Sequence, residues 1–263
     1  MNLINVRGIH IAADHLKSDG DLIAFIHGVG ADRTAWKYQL PFFHEQGYSV
    51  AALDMRGSGD SDARDAIGKP LPISLKEFAQ DVDAVIHQLG YKNAHWIGNS
   101  MGGVIILEAL SQKLSSVNRI ALCNTFAYHT DKDQILPRAE SALKIKSMPD
   151  FAKERIPLVL RRDIDSETLE EAIHAMARKD KDAYLASWQA TWSPDYRTIL
   201  SGIKNPTLVV SGSLDMITPK ALSDELAANI PGAKHIHIEG AGHISNLDKP
   251  KEFNKSLLDF LKK

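Results

Sequence analysis

The sequence has a single cysteine and no long apolar run. Because Cys123 has no partner in the chain, an intramolecular disulfide is excluded, and its apolar neighbours predict a buried, unreactive thiol. No apolar run approaches the roughly 18 residues that cross a membrane, and the first residues lack the charged and apolar regions of a signal peptide. We therefore expect a cytoplasmic protein with no membrane partner.

The sequence also lacks an excess of charge of either sign. Its 31 basic and 33 acidic residues are interspersed, and the formal net charge is -2. This balance gives no indication of the basic face that nucleic-acid binding requires, so no nucleic-acid partner is expected. The 263 residues, 44% of them hydrophobic, are enough to bury a full core. The expected partner is a small molecule, and the sequence leaves a homodimer open.

Strand and helix patterns alternate in the first half of the chain. The strand patterns are short apolar runs, at 22–26, 48–53, 94–97 and 117–122. Amphipathic helical patterns lie between them, the clearest at 73–89, where Gly90 follows. Further strand patterns follow at 207–211 and 234–238, and an amphipathic helix at 252–261. This alternation predicts an α/β fold with a parallel sheet and helices on both of its faces.

Between residues 126 and 200 the sequence has only helical patterns. They cover 131–148, 150–161, 165–178 and 180–192. An all-helical insertion in an α/β chain is typical of a lid. We therefore expect a core domain of residues 1–125 and 201–263, and a helical cap of residues 126–200.

The pentapeptide Gly98-Asn-Ser-Met-Gly102 lies between a strand pattern and an apolar helical pattern. A Gly-x-Ser-x-Gly sequence in that position predicts a tight turn that exposes the serine hydroxyl. The turn leaves the amide of Met101 unpaired at a helix N-terminus, where it favours a developing anion. Ser100 is therefore the candidate nucleophile.

A second glycine-containing loop, His27-Gly28-Val29-Gly30, follows the first buried strand pattern. A dinucleotide fingerprint is disfavoured because Arg33 stands where the third glycine would be. Glycines in this loop let backbone N–H groups turn toward a substrate oxygen. Val29 is the candidate for the second donor of an oxyanion hole, beside Met101.

An acid and a base follow the last two strand patterns, Asp215 and His243. In chain order, Ser100, Asp215 and His243 have the order of the triad in the α/β-hydrolase superfamily. The chain resembles that superfamily over essentially its whole length, on five motifs. These are His27-Gly-Val-Gly30, Asp54-x-Arg-Gly-x-Gly-x-Ser61, Gly98-Asn-Ser-Met-Gly-Gly103, Gly212-x-x-Asp215-x-x-Thr-Pro219 and Gly240-x-Gly-His243.

Within the superfamily the sequence is most similar to small cytoplasmic esterases and lactonases of the 3-oxoadipate enol-lactonase type. The resemblance implies an eight-stranded, mostly parallel sheet flanked by helices, with the cap inserted between two core strands. It also implies a cofactor-free serine hydrolase in which His243 takes the Ser100 proton and Asp215 orients His243. The substrate is then a small carboxylic ester or lactone, cleaved through an acyl-enzyme.

Two other kinds of function fit the same motifs. One is another enzyme class on the same triad, a C–C bond hydrolase of ring-cleavage products or a perhydrolase or haloperoxidase. The other is a ligand receptor or signalling protein that keeps the triad and turns over slowly. The sequence alone leaves both open beside ester hydrolysis.

Aromatic residues of the cap region are candidates for an apolar substrate pocket. We predict substrate contacts for Phe126, which follows a strand, and for Trp188 and Trp192 in the last cap helix. His235 and His237 share a strand face, but no Cys or acidic residue near them has ligand spacing, so no metal site is predicted.

Overall fold

Eight strands form one sheet. They are β1 (Asn2–Val6), β2 (Ile9–Leu16), β3 (Leu22–Ile26), β4 (Ser49–Leu53), β5 (Ala94–Asn99), β6 (Val117–Cys123), β7 (Thr207–Gly212) and β8 (Lys234–Ile238). Their order in the sheet is β1-β2-β4-β3-β5-β6-β7-β8. β1 and β2 pair antiparallel with each other, and β2 pairs antiparallel with β4, whereas every other pairing is parallel. The predicted mostly parallel, eight-stranded sheet is confirmed.

The computed structural model describes residues 1–161 and 163–262. Its α-helices are α1 (Gln39–Glu45), α2 (Leu75–Gln88), α3 (Met101–Ser111), α4 (Lys132–Leu143), α5 (Met148–Arg155), α6 (Ser166–Ala177), α7 (Lys181–Trp192), α8 (Lys220–Asn229), α9 (Ser245–Asp248) and α10 (Pro250–Leu261). Short 3₁₀ helices cover Arg33–Trp36, Ile156–Leu158 and Arg197–Gly202. Within these described residues, no helix combines the length and the apolar character needed to cross a membrane.

Apolar side chains cover both faces of the sheet, as the continuous apolar strand patterns predict. Along β3, Ile23 and Phe25 pack on one face with Phe43 of α1 and Phe253 of α10. The alternate residues Ala24 and Ile26 point to the other face, where α2 and α3 pack. α3 is apolar nearly all round and therefore lies buried against the sheet.

The chain between β6 and β7 contains α4 to α7, and its described residues form no strand. Two of these helices differ from the predicted bounds. The first ends at Leu143 and not at residue 148, because Ser147 begins the next helix by accepting a hydrogen bond from the amide of Asp150. That next helix ends at Arg155, two residues before Pro157, whose missing N–H cannot continue a helix.

The loops that carry the motifs all follow the carboxyl ends of parallel strands. β3 leads to His27, β5 to Ser100, β7 to the loop of Asp215 and β8 to the loop of His243. Parallel strands end at the same edge of a sheet, which is where open α/β sheets bind ligands. The topology therefore brings distant motifs of the chain to one edge.

Candidate active site

Ser100 occupies a strained turn between β5 and α3. Its φ is 53° and its ψ is -116°, a conformation that residues with a Cβ rarely adopt. A Cβ at Gly98 would lie 2.3 Å from the carbonyl group of Gly102, and one at Gly102 would lie 2.2 Å from the carbonyl oxygen of Ile26. The two glycines are therefore required because the turn folds tightly against itself and against β3.

Neighbouring residues hold the backbone of this turn in place. The amide of Ser100 donates a hydrogen bond to the carbonyl oxygen of Cys123 at 2.9 Å. The hydroxyl of Thr125 donates to the carbonyl oxygen of Ser100 at 2.8 Å. Gly103 lets Thr125 approach, because a Cβ at Gly103 would lie 2.5 Å from the Thr125 side chain. The strained serine is fixed by contacts from the neighbouring strand end.

Asp215 and His243 form a buried acid–base pair. Nδ1 of His243 lies 3.0 Å from Oδ2 of Asp215 and 3.1 Å from Oδ1. Asp215 also accepts hydrogen bonds from the amide and the hydroxyl of Thr218, at 2.9 and 2.6 Å. Burial alone raises the pKa of Asp215, but the charge of His243 and these hydrogen bonds hold it well below its usual range. An ionised Asp215 keeps the Nδ1 proton on His243 and leaves Nε2 free to accept one.

Ser100 and His243 line one cavity of about 40 Å³. Among the described residues, Ser100 Oγ makes no hydrogen bond with His243. The side-chain amide of Asn99, next to the serine, donates to the carbonyl oxygen of His243 at 3.0 Å and ties the two loops together. Such nucleophile–base contacts often tighten only when substrate is bound. The three predicted residues therefore converge on one edge of the sheet, with the acid–base contact already formed.

The two predicted oxyanion donors are the amides of Val29 and Met101. In the turns and loops that the structure describes, neither amide donates to a backbone or side-chain acceptor. Val29 lines the cavity at Ser100, and Met101 begins α3 directly after the serine. An N–H at that end of a helix favours a negative charge. Both amides are thus free to bind a developing oxyanion.

His27 supports the loop of Val29 and does not titrate near neutral pH. Its Nδ1 donates to the carbonyl oxygen of Gly28 at 2.8 Å, and its Nε2 accepts from the amide of Met55 at 3.0 Å. Burial, together with the nearby positive charge of Lys179, lowers the pKa of His27 to about 3. The imidazole therefore stays neutral and braces the loop.

Asn124 is a residue of this region that lies outside the five sequence motifs. It follows β6 with a φ of 48°, in the left-handed region that asparagine tolerates better than most residues. Its side-chain amide donates to Oδ2 of Asp215 at 3.0 Å and to the carbonyl oxygen of Gly242 at 3.2 Å. The hydroxyl of Ser245 donates to its Oδ1 at 2.6 Å. A polar residue at the end of a strand next to the acid's strand was the signal that could have found it.

Two of the three predicted substrate-binding aromatics line the cavity at Ser100. Trp188 and Trp192 are on its wall, whereas Phe126 lies behind Trp192 and stacks on it at 5.0 Å between ring centroids. Both tryptophans also line a neighbouring cavity of about 310 Å³, which extends toward Met216 and Ile217. Phe126 is on the wall of neither of these two cavities and contacts Trp192 instead.

Two polar residues on the cavity wall, Arg155 and Tyr184, were also missed from the sequence. Arg155 ends α5 and resembles an ordinary basic residue at a helix end, and Tyr184 lies in the aromatic face of α7. Only the packing of the insertion against the core brings them to the cavity at Ser100.

Within the described residues, no group of three or more His, Cys, Asp or Glu side chains is arranged to hold a metal ion. His235 and His237 instead both contact the hydroxyl of Ser211, at 2.8 Å each.

Comparison with known proteins shows the family of the chain. A family model described as the alpha/beta hydrolase fold matches residues 21–250. The chain belongs to the α/β-hydrolase family. It is 25% identical to the "Putative carbamate hydrolase RutD" of Pseudomonas savastanoi pv. phaseolicola, over 93% of this chain and 95% of the relative.

Two lactonases of this family are also similar to the chain. It is 25% identical to 3-oxoadipate enol-lactonase 1 of Acinetobacter baylyi, over 91% of this chain and 88% of that protein. The crystal structure of the enol-lactonase from Burkholderia xenovorans LB400 superposes with a TM-score of 0.86 at 26% identity, covering 98% of both chains. The α/β-hydrolase fold and the resemblance to enol-lactonases are thereby confirmed, and the chain is a member of a family of hydrolases.

Proposed function

We propose that this protein is a serine hydrolase that cleaves a small carboxylic ester or lactone through Ser100, His243 and Asp215. The observation that carries the proposal is the strained Ser100, which faces the same cavity as the hydrogen-bonded His243–Asp215 pair. A hydroxyl, a base and an oriented carboxylate in that arrangement support acyl transfer. The similarity to two lactonases supports the choice of ester or lactone.

The first half of the reaction forms an acyl-enzyme. Nε2 of His243 takes the proton of Ser100 Oγ as the oxygen attacks the substrate carbonyl carbon. The resulting oxyanion accepts hydrogen bonds from the amides of Val29 and Met101, each of which contributes about 10²–10³ in rate in comparable sites. Collapse of the intermediate breaks the C–O bond, and His243 gives its proton to the leaving alcohol.

The second half releases the acid by the same route. Water takes the place of the alcohol, and His243 accepts its proton as the water oxygen attacks the acyl carbon. The second tetrahedral intermediate expels Ser100 Oγ, which recovers its proton from His243. Ser100 is thereby regenerated, and the whole cycle needs only water as co-substrate.

We propose that the helical insertion acts as the cap of this site. Trp188 and Trp192 of α7 line the cavity at Ser100, so the insertion encloses the reacting group. We call the loop of residues 27–30 the oxyanion loop. The side chain of Met176 from α6 lies so close to this loop that a Cβ at Gly30 would be 2.3 Å from its Cε. An enclosed, largely apolar site strengthens the electrostatic contacts that stabilise the oxyanion.

The test is ester hydrolysis by the wild type and by Ser100→Ala. With p-nitrophenyl acetate, butyrate and octanoate we expect Ser100-dependent turnover, lowered at least about 10³-fold in Ser100→Ala. Asp215→Asn should lower kcat by about 10³–10⁴ through the wrong tautomer of His243. Ser201→Ala, an exposed serine remote from the cavity, is the matched control and should keep wild-type rates.

A covalent label gives a second, independent readout. An alkyl phosphonofluoridate should add one adduct to the wild type, located on Ser100 by peptide mass spectrometry, and none to Ser100→Ala. Folded wild type that hydrolyses none of these esters and takes no label would contradict the proposal. Turnover of a p-nitrophenyl carbamate in preference to the esters would move the assignment to carbamate cleavage on the same triad.

A further inference from the structure

Arg155 is a cation on the wall of the cavity at Ser100. Its side chain is half-buried, and its guanidinium lies 5.6 Å from the ring centroid of Trp188. Among residues 1–161 and 163–262 no Asp or Glu forms an ion pair with it. By contrast, Arg33, Arg56 and Arg178 each bind at least one Asp carboxylate at 2.8 Å or less. A guanidinium removed from water is costly unless an anion compensates it.

A second polar group on the same wall belongs to α7. The hydroxyl of Tyr184 is buried and makes no hydrogen bond within the described part of the chain. The ring lies beside the oxyanion loop, since a Cβ at Gly30 would be 3.5 Å from it. Buried hydroxyl groups are normally paired, so this hydroxyl on the cavity wall is available to donate a hydrogen bond to a ligand. Arg155 and Tyr184 are both hydrogen-bond donors.

The charge around Arg155 also favours an anion. Arg155 lines both the cavity at Ser100 and the neighbouring cavity of about 310 Å³, where the exposed Arg138 stands on the wall as well. Burial lowers the pKa of Arg155, and the like charge of Arg138 lowers it further. Asp131 and His129 also line the larger cavity, so its charged side chains carry one more positive than negative charge when His129 is neutral.

We propose that Arg155, with Arg138 on the exposed side, binds an ionised carboxylate on the substrate, so that the preferred esters or lactones carry a second, non-reacting carboxyl group. This inference rests on the proposed function, because the reacting ester must lie at Ser100 while the carboxylate lies at Arg155. The planar guanidinium suits a carboxylate, which accepts two of its N–H bonds at once. The hydroxyl of Tyr184 supplies a further donor within the same cavity.

The test compares two esters that differ in one terminal group. Mono-p-nitrophenyl glutarate ends in a carboxylate, whereas p-nitrophenyl pentanoate has a methyl group in its place. We expect the wild type to favour the glutarate ester in kcat/KM by about ten- to hundredfold, the range of a charge-assisted hydrogen-bond pair. Spontaneous hydrolysis of the glutarate ester is measured without enzyme and subtracted.

Arg155→Gln should lower this glutarate-to-pentanoate ratio of kcat/KM at least about tenfold, because it removes the two N–H groups that bind the substrate carboxylate. The change should be mainly in the KM of the glutarate ester. Arg155→Lys should keep part of the ratio, since the charge remains but the planar fork is lost. The control is Arg197→Gln, an exposed arginine paired with Asp195, which should keep the full ratio. A wild type that favours the pentanoate, or an Arg155→Gln that slows both esters equally, would overturn the proposal.

A binding measurement separates this inference from the proposed function. Calorimetric titration of glutarate into Ser100→Ala should show binding that disappears in Ser100→Ala/Arg155→Gln. If no ester is hydrolysed but glutarate binds through Arg155, the proposed function fails and the carboxylate site stands. If esters are hydrolysed without regard to charge and glutarate does not bind, the carboxylate site is wrong and the hydrolase stands.

Discussion

The side-chain amide of Asn124 donates a hydrogen bond to Oδ2 of Asp215 at 3.0 Å, and the same amide donates to the carbonyl oxygen of Gly242 at 3.2 Å. One side chain thus joins the loop of the proposed acid to the loop of the proposed base. Asp215 and His243 come from the ends of different strands, β7 and β8. Asn124 follows β6, the neighbour of β7 in the sheet, and fixes the positions of the two loops relative to each other.

Asn124→Asp tests this positioning role with little change in shape. The new carboxylate would lie about 3 Å from that of Asp215, and the N–H donor to Asp215 would be lost. Two carboxylates at that distance do not both ionise. We expect kcat to fall at least about tenfold with KM changed less than about threefold, and a changed acid limb in the pH profile. Asn229→Asp, on an exposed helix end, is the matched control. An unchanged pH profile beside a lower melting temperature would show that Asn124 has a structural role only.

The glycines around Ser100 give a prediction about stability. In Gly98→Ala, the added Cβ would lie 2.3 Å from backbone atoms of Gly102, which cannot move without breaking the turn. We expect a loss of about 3 kcal/mol or more in the free energy of unfolding, together with loss of esterase activity. Urea unfolding measures the first and p-nitrophenyl butyrate hydrolysis the second. Gly202→Ala has no atom within 4 Å of its Cβ and should stay within about 0.5 kcal/mol of wild type.

The segment that contains α4 to α7 is joined to the residues after the loop of Val29 by an ion pair whose loss should affect catalysis. Arg178, after α6, binds the buried Asp32 at 2.8 Å and Asp60 at 2.8 Å. Asp32 accepts from the amide of Thr34 at 2.9 Å and so begins the helical turn that follows the oxyanion loop. Arg178→Gln removes the ion-pair partner of this buried carboxylate, which is destabilising for a buried group.

We expect Arg178→Gln to lower kcat/KM about tenfold for neutral and anionic esters alike, because it disturbs the loop of Val29 and not a substrate contact. The comparison variant is Arg64→Gln, which removes the more exposed Arg64–Asp180 pair between the core and α7. An exposed ion pair of this kind contributes little to stability, so its loss should change kcat/KM less than about twofold. Equal effects of the two variants would refute a specific link between Arg178 and the loop.

Much of this geometry could be predicted from the sequence, because the motifs are local. Glycines at fixed spacing define the turn of Ser100, and the apolar strand patterns place its loop at the sheet edge with Asp215 and His243. The positions of Arg155 and Tyr184 could not be predicted, since no local motif marks them and only the packing of α5 and α7 brings them to the cavity at Ser100. The short helices α4 and α5 were misjudged in length because a capping serine and a proline decided their ends against a continuous helical pattern.

Lys179 gives a prediction about pH and stability. Its ammonium group is buried and donates to the hydroxyl of Ser58, with Asp32 and Asp54 nearby. Burial lowers the pKa of Lys179 to about 8, below the value of about 10.4 in an unfolded chain. Between these two values the unfolded state binds more protons than the folded state, so this group makes the protein more stable as the pH rises from about 8 to about 10.

Lys179→Met lacks that titration, so the comparison of the two proteins isolates it. The free energy of unfolding is measured with urea at about pH 7.5 and about pH 9.5. Between these pH values it should increase by about 1–3 kcal/mol more in the wild type than in Lys179→Met. Titration of the buried Cys123 and Tyr184 acts in the opposite direction, because burial raises the pKa of both groups, but it is common to the two proteins and cancels. A difference that stays constant across this pH range would mean that Lys179 is protonated throughout, held charged by Asp32 and Asp54 more strongly than burial opposes it.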